Sequence, residues 1–238
     1  MQLVLLASGR GFRLKEITVK QPKCLVKINN KPLIDYNLKF YEKFKKKIII
    51  TGYRSNLLKR KKQLKNFIHI KNKKFMTTNM VYSFFLCQKK IEKEDIIICY
   101  SDIIFDKKIF KVLEINKGTF LPLNRNWLKL WKKRMPHNLI RDDAEEIILK
   151  KKFIVEIGKK IKNKMPKYQF MGIIKLKYND FLKLKMFFIK LNNHKIDFTN
   201  FLNAAIKKKI IKLKYSLTNK FWIEIDTIND LNLAKKLL

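Results

Sequence analysis

The sequence predicts a single α/β domain: a mixed, mostly parallel β-sheet flanked by helices, with a β-hairpin added in the second half. Three observations carry this prediction. The chain has 238 residues, which fits one domain, since single cores stop growing at roughly 250–300 residues. Hydrophobic residues make up 47% of it, enough for a sizeable core. Short apolar runs also alternate with longer stretches of helical spacing, the β-α-β-α rhythm of sheets whose strands are bridged by crossover helices.

The elements follow in order. Residues 3–7 form a buried strand that runs into a glycine turn. Residues 33–44 have helical spacing, 47–51 form a second strand and 67–70 a third. Residues 79–89 form a helix entered through Thr77 and Thr78, which are good capping types. Residues 95–100 form a strand ending at Ser101-Asp102, and 120–123 another. In the second half, 146–149 and 153–157 flank a lysine-rich turn as a hairpin, and 169–176 is a strand. Helices are predicted at 179–191 and 199–207, strands at 210–215 and 221–225, and a closing helix at 228–237. The chain shows no internal repeat. One domain covers 1–238, which changes character between a first half (1–117) and a second half (118–238).

The charge is extreme, 56 Lys+Arg against 19 Asp+Glu, or +37. Such a balance raises the prospect of a polyanion partner. Only seven of the 56 are arginine, however, and the excess is scattered through a chain also crowded with Ile, Asn and Phe. A reader of phosphates favours Arg, whose planar fork binds bidentately. We therefore take the charge mainly as compositional drift, and the lysine runs 45–47, 150–152 and 207–209 as solvated turns. Three cysteines without C-x-x-C spacing give neither a disulfide framework nor a zinc site. The N-terminus lacks the basic region of a signal peptide. No apolar run approaches the ~20 residues of a membrane span. The expected location is the cytoplasm.

Three places carry chemistry. The first is Leu6-Ala7-Ser8-Gly9-Arg10-Gly11-Phe12-Arg13-Leu14, directly after a strand, followed by Pro22-Lys23. Two glycines let backbone N–H groups approach a phosphate chain, and Arg13 adds a fixed cationic fork. The spacing is neither the dinucleotide-binding G-x-G-x-x-G nor a P-loop. The second is Tyr100-Ser101-Asp102 at the carboxyl end of a strand, where open α/β sheets bind ligands. A carboxylate there suits Mg²⁺. The third is Trp222-Ile223-Glu224-Ile225-Asp226, which puts another acid at the end of a late strand. Glu224 alternates with Ile223 and Ile225 and is expected to be an exposed strand residue.

The pattern L-A-S-G-R-G-F-R-L…P-K-C-L-V resembles the opening of the sugar-phosphate and choline-phosphate nucleotidyltransferases. The resemblance implies a Rossmann-like nucleotidyltransferase fold, with a nucleotide-binding half at 1–117 and an acceptor-binding, metal-completing half at 118–238. It implies a triphosphate held by Leu6, Ala7, Ser8, Gly9, Gly11 and Arg13, with Lys23 at the reaction centre. Thr78, Asn79 and Ser101 would complete the nucleotide site, and Asp102 and Asp226 would hold Mg²⁺. Lys23, Arg13, Asp102 and Asp226 are thus the catalytic set. Ser8 stands where the family usually has Ala.

The middle of the chain narrows the resemblance. T-N-M-V-Y-S at 78–83, W-x-x-x-W-x-x-R at 127–134, D-D-A-E at 142–145, I-V-E-I-G-K-K at 154–160 and Y-Q-F-M-G at 168–172 are similar, in this order, to one branch. That branch contains cytidylyltransferases for 2-aminoethylphosphonate, for choline phosphate and for phosphoglutamine in capsule synthesis. The segments T-N-M-V-Y-S-F-F and L-W-K-K-R most resemble the last. The branch implies an acceptor site drawn from Met80, Trp127, Arg134, Asp143, Glu145, Lys159 and Gln169. In a helix Trp127, Trp131 and Arg134 share a face, and indoles with nearby carboxylates suit an ammonium group. Core anchoring is the competing role, for Trp131 above all, and Lys159 competes with being one more surface lysine. Asn124 replaces an Asp frequent in the family, which removes any acidic role there.

The activity implied is transfer of CMP from CTP to a phosphorylated or phosphonate acceptor with release of pyrophosphate, serving surface polysaccharide or lipid modification. The implied partners are CTP and that acceptor, with no specific nucleic acid and no membrane. The oligomeric state stays open, a homodimer included. A sugar-1-phosphate nucleotidyltransferase shares the first loop but not the segments at 127–172. A basic polyanion-binding protein on an inactive enzyme fold accounts for the charge but not for the intact catalytic set.

Overall fold

The structure, a computed structural model, describes residues 1–161 and 164–238. The strands are β1 (Gln2–Ala7), β2 (Lys27–Ile28), β3 (Lys31–Pro32), β4 (Lys47–Thr51), β5 (Ile68–Lys71), β6 (Ile96–Tyr100), β7 (Ile103–Phe105), β8 (Phe120–Asn124), β9 (Glu145–Lys150), β10 (Phe153–Lys160), β11 (Gln169–Phe170), β12 (Ile173–Leu176), β13 (Leu213–Thr218) and β14 (Trp222–Glu224). The helices are α1 (Leu38–Tyr41), α2 (Ser55–Arg60), α3 (Met80–Phe85), α4 (Ile109–Ile115), α5 (Trp127–Arg134), α6 (His137–Asp143), α7 (Tyr178–Leu191), α8 (Phe198–Lys207) and α9 (Ile228–Leu237).

Ten strands form one mixed sheet in the order β5-β4-β1-β6-β12-β8-β13-β10-β9, with β11 also on β8. From the pairings, β5, β4, β1, β6, β8, β13 and β9 run one way and β12, β11 and β10 the other. The sheet passes through both halves of the chain, because β6 pairs with β12. Strand alternation sorts its two faces. Leu3, Leu5, Ile49, Ile97 and Cys99 pack against Phe40, Tyr41 and Phe44 around α1. Val4, Leu6, Ile48, Ile50, Ile96 and Ile98 pack against the Phe-rich faces of α3, α7 and α8, where Phe85 stacks on Phe188 at 4.8 Å. Each such ring contributes roughly 1.5–3 kcal/mol by leaving water.

A small separate sheet matters more for the site. Strand β14 pairs antiparallel with β7, setting Glu224 opposite Ile103. One face of this pair, with Ile104, Ile223 and Ile225, covers a third core of Leu14, Val26, Ile28, Leu33 and Leu231.

Several expectations shift. The strand expected at 169–176 is two strands, broken at Met171-Gly172. Gly172 has φ +73°, and a Cβ there would lie 3.0 Å from the Tyr100 ring. The break lets β11 pair with β8 while β12 pairs with β6. The helix expected at 33–44 opens as a 3₁₀ turn, Leu33–Asn37, before α1. Helix α3 is capped by Asn79, whose Oδ1 accepts the Met80 N–H, and not by Thr77 or Thr78. Helices α2, α4 and α6 and strands β2, β3 and β7 went unpredicted. Helix α6 buries only Ile140, so it carries no apolar stripe to detect. The lysine runs 150–152 and 207–209 are exposed, each running from the last residue of an element (β9 and α8) into a turn. Among the described residues no helix is long and apolar enough to cross a membrane.

Candidate active site

The sheet brings the three chemically marked segments together. Strand β1 delivers Ser8-Gly9, its neighbour β6 delivers Ser101-Asp102, and the β7–β14 pair delivers Glu224 and Asp226. The Ile225 N–H donates to the Asp102 carbonyl at 2.9 Å, locking the last two segments side by side.

Two adjoining cavities meet there. One, of about 230 Å³, is lined by Leu6, Ser8, Gly9, Lys23, Phe75, Thr78, Asn79, Met80, Ser83, Tyr100, Ser101 and Asp102. Gly9 faces open space, since a Cβ there would meet nothing within 4 Å. Gly11 acts from beneath. Its φ is +80°, and a Cβ would collide with Lys23 Cβ at 2.8 Å, so the glycine lets the lysine pass. Ala7 is buried in β1 and lines neither cavity. Gly52 is an unpredicted member of the loop's support: a Cβ there would lie 2.6 Å from the Ser8 carbonyl oxygen.

The other cavity, of about 420 Å³, is lined by Arg13, Met80, Tyr100, Trp131, Asp143, Glu145, Gln169, Phe170, Gly172, Asp197, Phe198, Thr199, Trp222, Glu224 and Asp226. It gathers five carboxylates and one arginine in a chain of net charge +37. Among the described residues, the Gln169 Oε1 and the Trp131 and Trp222 Nε1 atoms are buried without hydrogen-bond partners. Burial pushes the Glu145 carboxyl up to about 7, although the Thr199 hydroxyl donates to it at 2.6 Å and partly offsets the rise.

At the junction, single oxygens of Asp102, Glu224 and Asp226 lie within 4.8 Å of one another. Lys23 Nζ sits between two of them, donating to Asp102 Oδ2 at 2.7 Å and to Asp226 Oδ1. Arg13 Nη2 pairs with Asp226 Oδ2 at 3.0 Å. Burial opposes the charge on Lys23, but Asp102 and Asp226 outweigh it and hold its pKa above the ordinary value. Burial would likewise raise Asp226, yet Lys23 and Arg13 keep it below the usual carboxylate range. Glu224 goes the other way: burial, reinforced by Asp226 and Asp102, holds it well above that range. Three oxygen donors, with Asp102 Oδ1 buried and unpartnered among the described residues, fit a hard divalent cation.

Glu224 corrects the expectation of an exposed strand residue. Alternation does put it opposite Ile223 and Ile225, but the face it shares with Asp226 borders the cavity and not bulk water. The E-x-D spacing at 224–226 held this information. Asp197 is a further lining residue that nothing local in the sequence marks, while Trp131 and Tyr100, singled out within their motifs, were not placed in the lining.

Three residues expected at the acceptor lie elsewhere. Trp127 is buried, its indole N–H donating to the Pro166 carbonyl at 3.1 Å, and it borders a separate cavity with Asn124 and Lys133. Both indoles are buried in the core, as expected for Trp131 above all, and the i,i+4 pair meets edge to face; of the two, Trp131 also lines the acid-lined cavity. Arg134 is buried in a pair with Asp230, which removes its charge from any ligand. Lys159 is an exposed residue paired with Glu156 at 2.9 Å. Asn124 holds a loop, donating to the Lys220 carbonyl and accepting the Asn126 N–H.

Residues 2–118 match the model of the nucleotidyl transferase family. The chain is 31% identical to the CTP:phosphoglutamine cytidylyltransferase of Campylobacter jejuni, across 97% of this chain and 98% of that protein. It is 32% identical to the choline-phosphate cytidylyltransferase of Streptococcus pneumoniae over 52% of this chain and 54% of that one. Among solved structures it is similar to an inositol-1-phosphate CTP transferase from T. maritima, with a TM-score of 0.78, 23% identity and coverage of 99% and 95%. The CTP:phosphocholine cytidylyltransferase structure from S. pneumoniae gives 0.77 and 20%, with coverage of 99% and 98%. At these identities the structural likenesses speak for the fold.

Proposed function

Because this chain belongs to the nucleotidyl transferase family, we propose that it is a cytidylyltransferase joining CMP from CTP to a phosphorylated or phosphonylated amine. One observation carries the reading: the Lys23–Asp102–Glu224–Asp226 cluster stands where a glycine-loop cavity meets an acid-lined one. The first suits a triphosphate. The second suits an acceptor whose cationic amine faces Asp143, Glu145 and Asp197 beside aromatic walls. That acidity disfavours a neutral sugar phosphate and a polyanion. The phosphoglutamine and choline-phosphate enzymes to which the chain is similar have acceptors of this kind.

In the reaction an ionised acceptor oxygen forms a bond to the α-phosphorus of CTP, and the bond from that phosphorus to the bridging β-oxygen breaks, releasing pyrophosphate. An oxygen already ionised at neutral pH needs no strong general base. The chain's task is therefore alignment and charge compensation. Asp102, Glu224 and Asp226 would hold Mg²⁺, whose charge offsets that of the phosphates when bound. Lys23 and Arg13, now paired with these carboxylates, exchange them for phosphate oxygens. The loop N–H groups at Ser8 and Gly9 hold the triphosphate in line.

The test is pyrophosphate release across CTP, UTP, ATP and GTP with phosphocholine, 2-aminoethylphosphonate, phosphoglutamine and glucose 1-phosphate. CTP with an amine acceptor should lead, and Asp102→Asn or Asp226→Asn should abolish most turnover in a folded protein. Preference for a purine, or for glucose 1-phosphate, would sink the reading.

A further inference from the structure

Asp226 stands at the junction of the two cavities, and a second carboxylate holds its backbone. Asp230, in the first turn of α9, accepts the Asp226 N–H at 2.9 Å and the Thr227 N–H at 2.8 Å, both on Oδ2. The Thr227 hydroxyl accepts the Asp230 N–H at 3.3 Å, which completes a capping box. An ordinary capping box satisfies the N-cap amide. Here the same oxygen also takes the amide of the preceding residue, Asp226.

Capping alone calls for no arginine. Yet Arg134, from α5, donates Nε to Asp230 Oδ1 at 2.7 Å and Nη2 to Oδ2 at 3.0 Å. The two side chains are 1% and 0% exposed. A fully dehydrated ion pair returns little net stability, since losing water costs about what the attraction gains. What a bidentate fork does supply is orientation: it fixes the plane of the carboxylate, and that plane fixes two amides. The Arg134 guanidinium also lies over the Trp131 ring, 4.8 Å from its centre. Trp131 walls the acid-lined cavity. One arginine thus touches the acceptor wall and, through Asp230, the backbone of Asp226.

We propose that Arg134 and Asp230 are positioning residues, which set the Asp226 carboxylate for a divalent cation and tie it to the acceptor wall at Trp131. The inference rests on the role given above to Asp226. Loosening the fork frees the Asp226 amide and lets its carboxylate drift, while the glycine loop stays intact. The effect should therefore fall on cation affinity and kcat, with the KM for nucleotide nearly unchanged.

The variants are Arg134→Lys, which keeps the charge but loses the fork, and the double variant Arg134→Met with Asp230→Asn, which leaves no buried ion unpaired. Three measurements follow on each: amide exchange over residues 222–230 in the ligand-free protein, Mn²⁺ binding by electron paramagnetic resonance without nucleotide, and steady-state kinetics. We expect faster exchange at Asp226 and Thr227, and Mn²⁺ affinity and kcat each lower by about 10–100-fold, the range for groups that orient metal ligands. Arg134→Lys should fall between wild type and the double variant. Folded variants with Mn²⁺ affinity and exchange within about twofold of wild type would overturn the proposal, as would a wild type that binds no Mn²⁺. If the wild type binds Mn²⁺ but transfers no nucleotide, the proposed activity fails, while the exchange and Mn²⁺ measurements still decide the role of the clamp.

Discussion

Replacing Lys23 with Met should turn a self-neutralised cluster into an avid cation site, at a cost in stability that metal repays. Lys23 Nζ lies 2.7 Å from Asp102 Oδ2, and the side chains of Lys23, Asp102 and Asp226 are 12%, 24% and 9% exposed. At an effective dielectric of ~20, unit charges at that distance attract by about 6 kcal/mol before dehydration is counted. Removing one partner of a buried pair costs about 3–5 kcal/mol, because the other charge is left uncompensated. For a chain of this size that loss lowers Tm by roughly 6–20 °C in metal-free buffer. A divalent cation at 100 times its Kd, binding the folded state alone, returns about 2.7 kcal/mol. Mg²⁺ should therefore rescue most of the Lys23→Met stability and stabilise the wild type less, since there the lysine must first be displaced. Turnover should stay low in the variant even with metal, because the leaving pyrophosphate has lost a cation. Thermal melts of both proteins in EDTA and across a Mg²⁺ titration make the comparison. Equal Mg²⁺ stabilisation of the two proteins, or a variant as stable as wild type in EDTA, would refute the reasoning.

Glu145 gives a pH dependence. Its folded pKa of about 7 exceeds the ordinary 4.5, so between these values the folded state holds a proton that the unfolded state has lost. Stability should fall as pH rises through that window and level off above it, and Glu145→Gln should flatten the slope. The same titration should raise the KM of a cationic acceptor as pH drops below about 7, an effect that pH-dependent kinetics would find missing in Glu145→Gln. Gly11→Ala should displace Lys23 and strain a left-handed backbone, so circular dichroism should show a folded protein whose turnover is largely lost. Arg13→Ala removes a side chain that is 58% exposed, so nucleotide KM should rise with little change in Tm. Duplex DNA binding, weak and salt-sensitive, should respond instead to replacement of the exposed lysines 150–152 by Ser, which fluorescence titration at two salt concentrations would reveal.

The glycine loop, Asp102 and Asp226 were legible because each follows a strand end, which is a local property, and Lys23 because it opens the turn after Pro22 in a motif tied to that loop. The sheet and its terminal helix were legible for the same reason: apolar alternation and helical periodicity survive in the linear order. Asp143, Glu145 and Gln169 were named from the resemblance and do line the second cavity.

What the order of residues could not decide is which side of an element faces a cavity. Trp127 and Trp131 share a helix face in any helical reading and both end up buried; only the packing of α5 against its neighbours turns Trp131, and not Trp127, to the acid-lined cavity. Arg134 reads as a ligand-binding cation until Asp230, 96 residues further along the chain, takes its Nε and Nη2 donors in a buried pair. Glu224 reads as a surface residue until β14 pairs with β7 and the polar face of that pair closes over the cluster. Local spacing determines where the backbone turns and which residues share a face. Burial, partner and charge state arise from contacts between segments far apart in sequence, so they belong to the tertiary structure alone.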